Sequence, residues 1–467
     1  MSFPHGFRWG AATASYQIEG APKADGKGLS VWDVMCREPG RIWDGHDGSV
    51  ACNHYHLYEQ DVAHMQDIGL RAYRFSVSWP RVVPAGTGTV NQAGLDFYDR
   101  LVDQLLEANV EPWLTLFHWD YPYDLYVRGG WLNPESPKWF TDYTAHVVER
   151  LSDRVQHWIT QNEPQCYIGL GHVQGIHAPG IKLPIAEVTH AAHHSLIAHG
   201  LAVQVIRAQA KSESKIGTAI VGVGAIPNSD RSADIEAARH HTFAIDEPTF
   251  WNTAWWSDPV VLGKYPKDGL KLFGEHLPAG WEKDLETICQ PLDFFGTNIY
   301  HAVKVEADEN GKPKVSRAQE GYPHTMMSWR MVPEALRWIP TFLHERYGLP
   351  IAITENGIAL SDWMSLDGKV HDPQRIDFMN RYLLEFGKAI EDGVRGAGYF
   401  TWSLMDNFEW TEGYKYRFGL IHVDYATQKR TLKDSAHWYR DVILSNGQAL
   451  HKHSGPSRKT AEIAVEV

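Results

Sequence analysis

Eight short runs of apolar residues punctuate the chain: Arg8–Ala14, Ala72–Trp79, Pro112–His118, His157–Asn162, Ile216–Gly222, Phe294–Tyr300, Ile351–Glu355 and Gly398–Leu404. Most are continuous rather than alternating, as expected of parallel strands covered on both faces. Between them the apolar period lengthens to that of a helix, as in Tyr55–Asp67, Leu95–Ala108 and Pro137–Leu151. In the last of these, Trp139, Phe140, Tyr143, Val147 and Leu151 recur at helical spacing. Strand and helix alternating eight times predict an α/β fold, a single (β/α)8 TIM barrel with long βα loops at the C-terminal face of its strands.

Nothing in the 467 residues reads as a linker, an internal repeat or a low-complexity tract. Barrels with decorated loops run from roughly 200 to over 400 residues as one unit, so residues 1–453 are expected to form one domain. A core of that size needs no cross-links. Residues 454–467 are polar, lack aromatic anchors and read as a disordered tail.

The net charge of −13 argues against nucleic-acid and anionic-membrane partners, which require basic patches. Cys36, Cys52, Cys166 and Cys289 are scattered without CxxC spacing, too few for a disulfide framework in a chain this long. The first ten residues contain no apolar signal core, and no 18-residue apolar run exists. A soluble, cytoplasmic protein is the expectation; oligomeric state is left open.

In a barrel of this kind the chemistry sits at the C-terminal ends of the strands. The residues that fall there are Gln17 and Glu19, His118, Asn162 and Glu163, Asn298 and Tyr300, Glu355, and the cluster Trp402, Glu409 and Trp410. Either Glu163 or Glu355 alone reads as a solvated strand-end residue. Two glutamates closing separate strands suggest the carboxylate pair of glycoside hydrolysis. Indoles, amides and an imidazole suit a sugar, which stacks its C–H face on aromatic rings and pairs its hydroxyls with polar side chains.

Two other readings carry less. His54-Tyr-His56, His193-His194 and His240-His241 lack a carboxylate or cysteine at ligand spacing, so helix-surface or capping roles are expected, with no metal and no cofactor. Gly217–Gly224 contains Gly-x-x-x-x-Gly-x-Gly but matches neither the phosphate loop nor the dinucleotide fingerprint, and reads as a strand with small residues.

Over nearly its whole length the chain resembles the glycoside hydrolase family 1 β-glucosidases. The resemblance rests on Phe7–Gly20, Tyr73–Trp79, Phe117-His-Trp119, Asn162-Glu-Pro164, Gly175–Gly180, Asn298-Ile-Tyr300, Thr354-Glu-Asn-Gly357 and Trp402–Trp410. It implies a retaining, double-displacement hydrolysis of terminal non-reducing β-D-glucosyl residues, with Glu355 as nucleophile and Glu163 as acid/base. Transglycosylation is implied as a side reaction. Retention asks for carboxyls about 5–5.5 Å apart, an ionised nucleophile and a donor with a raised pKa.

The resemblance also implies Arg74 as the cation beside the nucleophile, and Gln17, His118, Asn162, Asn298, Tyr300, Trp402, Glu409 and Trp410 as the glucose-binding set. Asn162 is expected at the 2-hydroxyl and Glu409 at the 4- and 6-hydroxyls. Phospho-sugar members carry serine with a nearby lysine where this chain has Glu409, so an unphosphorylated glucoside is implied. Trp329 resembles the family's platform for the leaving group. The chain departs from the usual Thr-Phe-Asn-Glu-Pro-Trp at Gln161 and Gln165, and from Asn-Tyr-Tyr at Ile299. If Gln165 faced the leaving group, stacking there would be weaker and Trp329 would remain the main platform. A decayed sugar-binding barrel would be expected to have lost one glutamate, and a lyase or isomerase would want a metal cluster or a lysine base; neither pattern is present.

Overall fold

The computed structural model describes residues 2–450 except Gln319, so the tail expected at 454–467 lies outside the described residues. Eight parallel strands close a barrel: β1 (Arg8–Ala12), β2 (Ala72–Ser76), β3 (Glu111–Phe117), β4 (His157–Asn162), β5 (Lys215–Val221), β6 (Phe295–Asn298), β7 (Ile351–Asn356) and β8 (Gly396–Trp402). Neighbours follow chain order around the ring, and β8 returns to β1 through Gly10↔Phe400 and Ala12↔Trp402.

Each strand coincides with one of the eight apolar runs, and Gly217–Gly224 is indeed strand over its first five residues. The three helical stretches also form, as His54–Ile68, Gln92–Glu107 and Ser136–Leu151. In the last of these all five apolar residues on the expected face are buried. Each such side chain contributes about 1.5–3 kcal/mol relative to exposure.

Aromatic side chains plug the barrel near the N-terminal ends of its strands. Trp113 packs against His157, Phe294 and Phe400 at ring-centroid distances of 4.3, 5.0 and 4.8 Å. At the other end the βα connections are long. The segment after β4 forms an irregular helix over Gln165–Gln174, and a small sheet of Ala225–Pro227, Val303–Ala307 and Pro313–Val315 stands above β5 and β6. Beyond β8 the chain is fastened by buried ion pairs: Asp406 accepts from Lys433 at 2.7 Å and from Arg417 at 2.6 Å. Close approach forces glycine beside Glu355, since a Cβ on Gly357 would lie 1.8 Å from the Trp402 carbonyl oxygen.

Candidate active site

Glu163 follows the last residue of β4, and Glu355 is the penultimate residue of β7. Both stand at breaks in strand register. The β4–β5 pairing slips between Ile159 and Asn162, and β7 slips against both its neighbours beyond Ile353. A slip of this kind re-aims a side chain that regular alternation would point elsewhere. Glu163, Trp119 and Trp410 also hold left-handed backbone, with φ of 47°, 76° and 51°. Non-glycine residues keep that conformation only where their surroundings over-determine it.

One hydrogen-bonded network joins the two carboxyls. Arg74, on β2, donates from its guanidinium to Glu355 Oε1 at 2.6 Å and also to Asn162 Oδ1. Tyr300 OH donates to Glu355 Oε2 at 2.7 Å. Asn298 Nδ2 donates to Asn162 Oδ1 at 3.0 Å and to Glu163 Oε1 at 2.9 Å, and Thr354 Oγ1 donates to Asn298 Oδ1 at 2.6 Å. The Cys166 thiol lies 3.3 Å from Glu163 Oε2. Glu355 therefore has a guanidinium and a phenol, whereas Glu163 has an amide and a weak thiol donor.

Burial, and then the Glu355 charge, push the Glu163 carboxyl up to about 8. Burial raises Glu355 as well, but Arg74 and the Tyr300 hydroxyl oppose it by favouring the carboxylate. Glu409 is pushed up to about 8 by burial and by the charges of Glu355 and Glu163. Burial and Arg74 hold His118 well below the usual imidazole range, so it is neutral.

These groups open on a cavity of about 520 Å³. His118, Glu163, Asn298, Tyr300, Trp329, Glu355, Trp402, Glu409 and Trp410 all line it, while Gln17, Asn162 and Arg74 are buried among or behind them. Trp402 and Trp410 both lie against His118 at 5.9 Å with near-parallel rings. Trp329 leans on Tyr300 at 5.1 Å. Gln17 Oε1, His118 Nδ1 and Glu409 Oε2 are buried without a partner among the described residues. Buried polar atoms left open around a cavity suit a ligand rich in hydroxyls.

The glycosyl hydrolase family 1 model matches residues 1–448. The 1,4-beta-D-glucan glucohydrolase of Thermotoga neapolitana is 46% identical over 95% of this chain and 99% of its own length. Beta-glucosidase A of Thermotoga maritima is 45% identical over 95% of this chain and 98% of its own length. The solved structure of a Thermotoga maritima beta-glucosidase in complex with glucoimidazole superposes with a TM-score of 0.87, at 44% identity over 96% of this chain and 99% of that one. The chain belongs to glycosyl hydrolase family 1.

Several positions of this family 1 chain differ from their sequence reading. Glu19, beside Gln17, is a buried structural partner of Arg81 at 2.9 Å and of the Tyr98 hydroxyl at 2.6 Å. His54, His193 and His194 are buried rather than on helix surfaces. His54 pairs with Asp61 at 2.7 Å, His193 with Tyr265 and Asp284, and His194 with the Trp131 carbonyl. Among the described residues no group of three histidine, cysteine or acidic side chains is placed to hold a metal ion. Nor is any described helix long and apolar enough to cross a membrane.

Gln165 is the largest departure. Its amide bonds the backbone of Val221 and Asn252, and it does not line the cavity. Gln161 is likewise occupied, accepting from Tyr167 and Ser195. Among the cavity residues that the sequence did not point to, two touch the carboxyl network. Trp119, which donates to the Asn162 carbonyl at 2.9 Å, lay inside the Phe117-His-Trp119 motif. Cys166 is two positions beyond the Asn162-Glu-Pro164 motif, and its only sequence signal is that proximity.

Proposed function

We propose that this family 1 glycosidase is a retaining β-glucosidase. Glu355 serves as nucleophile, Glu163 as acid/base, and Gln17, His118, Asn162, Trp402, Glu409 and Trp410 hold the glucose. The observation that carries the reading is the unequal environment of two buried carboxyls in one network: Arg74 and Tyr300 serve Glu355, while Glu163 faces burial and a neighbouring negative charge. The relatives' names and the sugar-like inhibitor in the Thermotoga maritima structure support the substrate class.

In the first step a carboxylate oxygen of Glu355 bonds the anomeric carbon as the glycosidic C–O bond breaks. Glu163 gives its proton to the departing oxygen. Esterification removes the Glu355 charge, and with it the second-ranked cause of the raised Glu163 pKa. Glu163 is thereby left the stronger acid, ionised and ready to take a proton from water. That water attacks the anomeric carbon from the face the leaving group vacated, and Glu355 departs as carboxylate. An alcohol in place of the water gives transglycosylation. Proton NMR of a fresh reaction tests the scheme: β-glucose must appear first and only later mutarotate. Initial release of α-glucose would overturn it.

A further inference from the structure

The Gln165 side chain is fully buried, and its amide makes three bonds, all to backbone. Nε2 donates to the Val221 carbonyl at 3.1 Å and the Asn252 carbonyl at 3.2 Å, and Oε1 accepts from Val221 N–H at 3.3 Å. Three separate parts of the chain meet at this one amide. They are the helix that starts two residues after Glu163, the end of β5, and the loop that carries Trp251.

The strand end and that loop form one wall of the cavity, through Val221, Gly222, Val223, Gly224 and Trp251. Thr253 Oγ1 adds a second strap, donating to the Val223 carbonyl at 2.7 Å. The wall is also joined to the chemistry: Gly222 N–H donates to the Asn298 carbonyl at 2.9 Å, and Asn298 is the amide that holds Glu163. None of the five wall residues belongs to the proposed glucose-binding set. We propose that Gln165 is a positioning residue for leaving-group selectivity: without touching substrate, it holds the Val221–Gly224 strand end and the Trp251 loop in register with Glu163.

The chemistry of the side chain supports this role. A carboxamide is neutral and offers donors and an acceptor together, which this trio of backbone groups demands. The indole implied by the family resemblance has one donor and no acceptor. Removing the amide takes the partner from the Val221 N–H and a donor from the Asn252 carbonyl. The Val221 carbonyl keeps only the Val223 N–H at 2.9 Å, so the strand end and the loop lose the link between them and are free to shift. Displacement of a wall by a fraction of an ångström affects whatever is packed on it and spares whatever is not.

The proposal rests on Glu163 being the proton donor of a β-glucosidase, and the test separates the two claims. Gln165→Met keeps the length of the side chain and removes all three bonds. Gln165→Glu keeps the shape but places a carboxylate against two carbonyls. Each is compared with the parent enzyme on β-glucosyl fluoride, cellobiose and hexyl β-glucoside. The single-atom leaving group of the fluoride does not reach the wall.

For both variants kcat/KM on cellobiose and hexyl glucoside is expected to fall at least tenfold, chiefly through KM, while the fluoride loses less than threefold. Thr253→Val, which cuts the neighbouring strap, is expected to show the same split at smaller size, and it is read alone if neither Gln165 variant folds. Equal losses on all three substrates, or a lowered Tm with unchanged substrate ratios, would overturn the proposal by leaving Gln165 a merely structural role. Failure of the parent enzyme to hydrolyse β-glucosyl fluoride would instead overturn the functional reading beneath it.

Discussion

Glu163 and Glu355 are the same side chain, both buried, and only their neighbours distinguish the proposed proton donor from the proposed nucleophile. With Glu163 pushed up to about 8, its acid form is present below that pH and lost as pH rises through it. kcat/KM for an alkyl glucoside is therefore expected to fall on the alkaline side near pH 8. A dinitrophenyl glucoside, whose departure needs no proton, should show no such limb, either in the parent enzyme or in Glu163→Gln. On the acid side the rate is expected to fall as Glu355, the proposed nucleophile, takes up its proton, which Arg74 and Tyr300 oppose. Glu163→Ala should cost alkyl glucosides about 10²–10⁴-fold in rate, the usual scale of general acid help, and activated aryl glucosides far less. Equal losses across leaving groups, measured as first-step rates, would contradict the assignment.

At the scale of elements, the strands were legible because burial on both faces writes them as unbroken apolar runs. The ends were less so. The runs overshoot β1 and β2, whose ladders stop at Ala12 and Ser76, because Ala14, Val77 and Trp79 beyond them are also buried. Apolarity records burial, and a residue can be buried without pairing in a ladder. The register slips that aim Glu163 and Glu355 have no compositional signature at all. Nor could the sequence show that Gln165 turns toward β5, since that depends on where a loop some 87 residues away lies.

The loop bearing Glu409 illustrates an element held by charge rather than by ladder. Lys433 is fully buried between Asp362 at 2.5 Å and Asp406 at 2.7 Å. Lys433→Met leaves those carboxylates short of their shared cation, and is expected to destabilise the fold by about 3–5 kcal/mol. Urea denaturation checks it. A loss below 1 kcal/mol would mean that Arg375 and Arg417, which also contact these acids, suffice alone.

Across the whole molecule, electrostatics constrain the substrate as much as shape does. The chain carries a net charge of −13, and among the described residues the lining of the cavity includes Glu163, Glu355, Glu409 and Glu412 but no lysine or arginine. A 6-phosphate brought to Glu409 would find no cation among these residues. The 6-phospho-β-glucoside is expected to show a kcat/KM at least 100-fold below that of the plain glucoside, and Glu409→Ser alone should not restore it. Comparable values for the two substrates would refute this reading of Glu409.

The proposed mechanism requires Glu355, held by Arg74 at the end of β7, to become covalently glucosylated. Incubation with 2-deoxy-2-fluoro-β-glucosyl fluoride, followed by proteolysis and mass spectrometry, tests it most directly. One fluoroglucosyl group per chain is expected, on the peptide containing Thr354-Glu355-Asn356. Label on any other residue, or none while the parent enzyme still turns over β-glucosides, would contradict it.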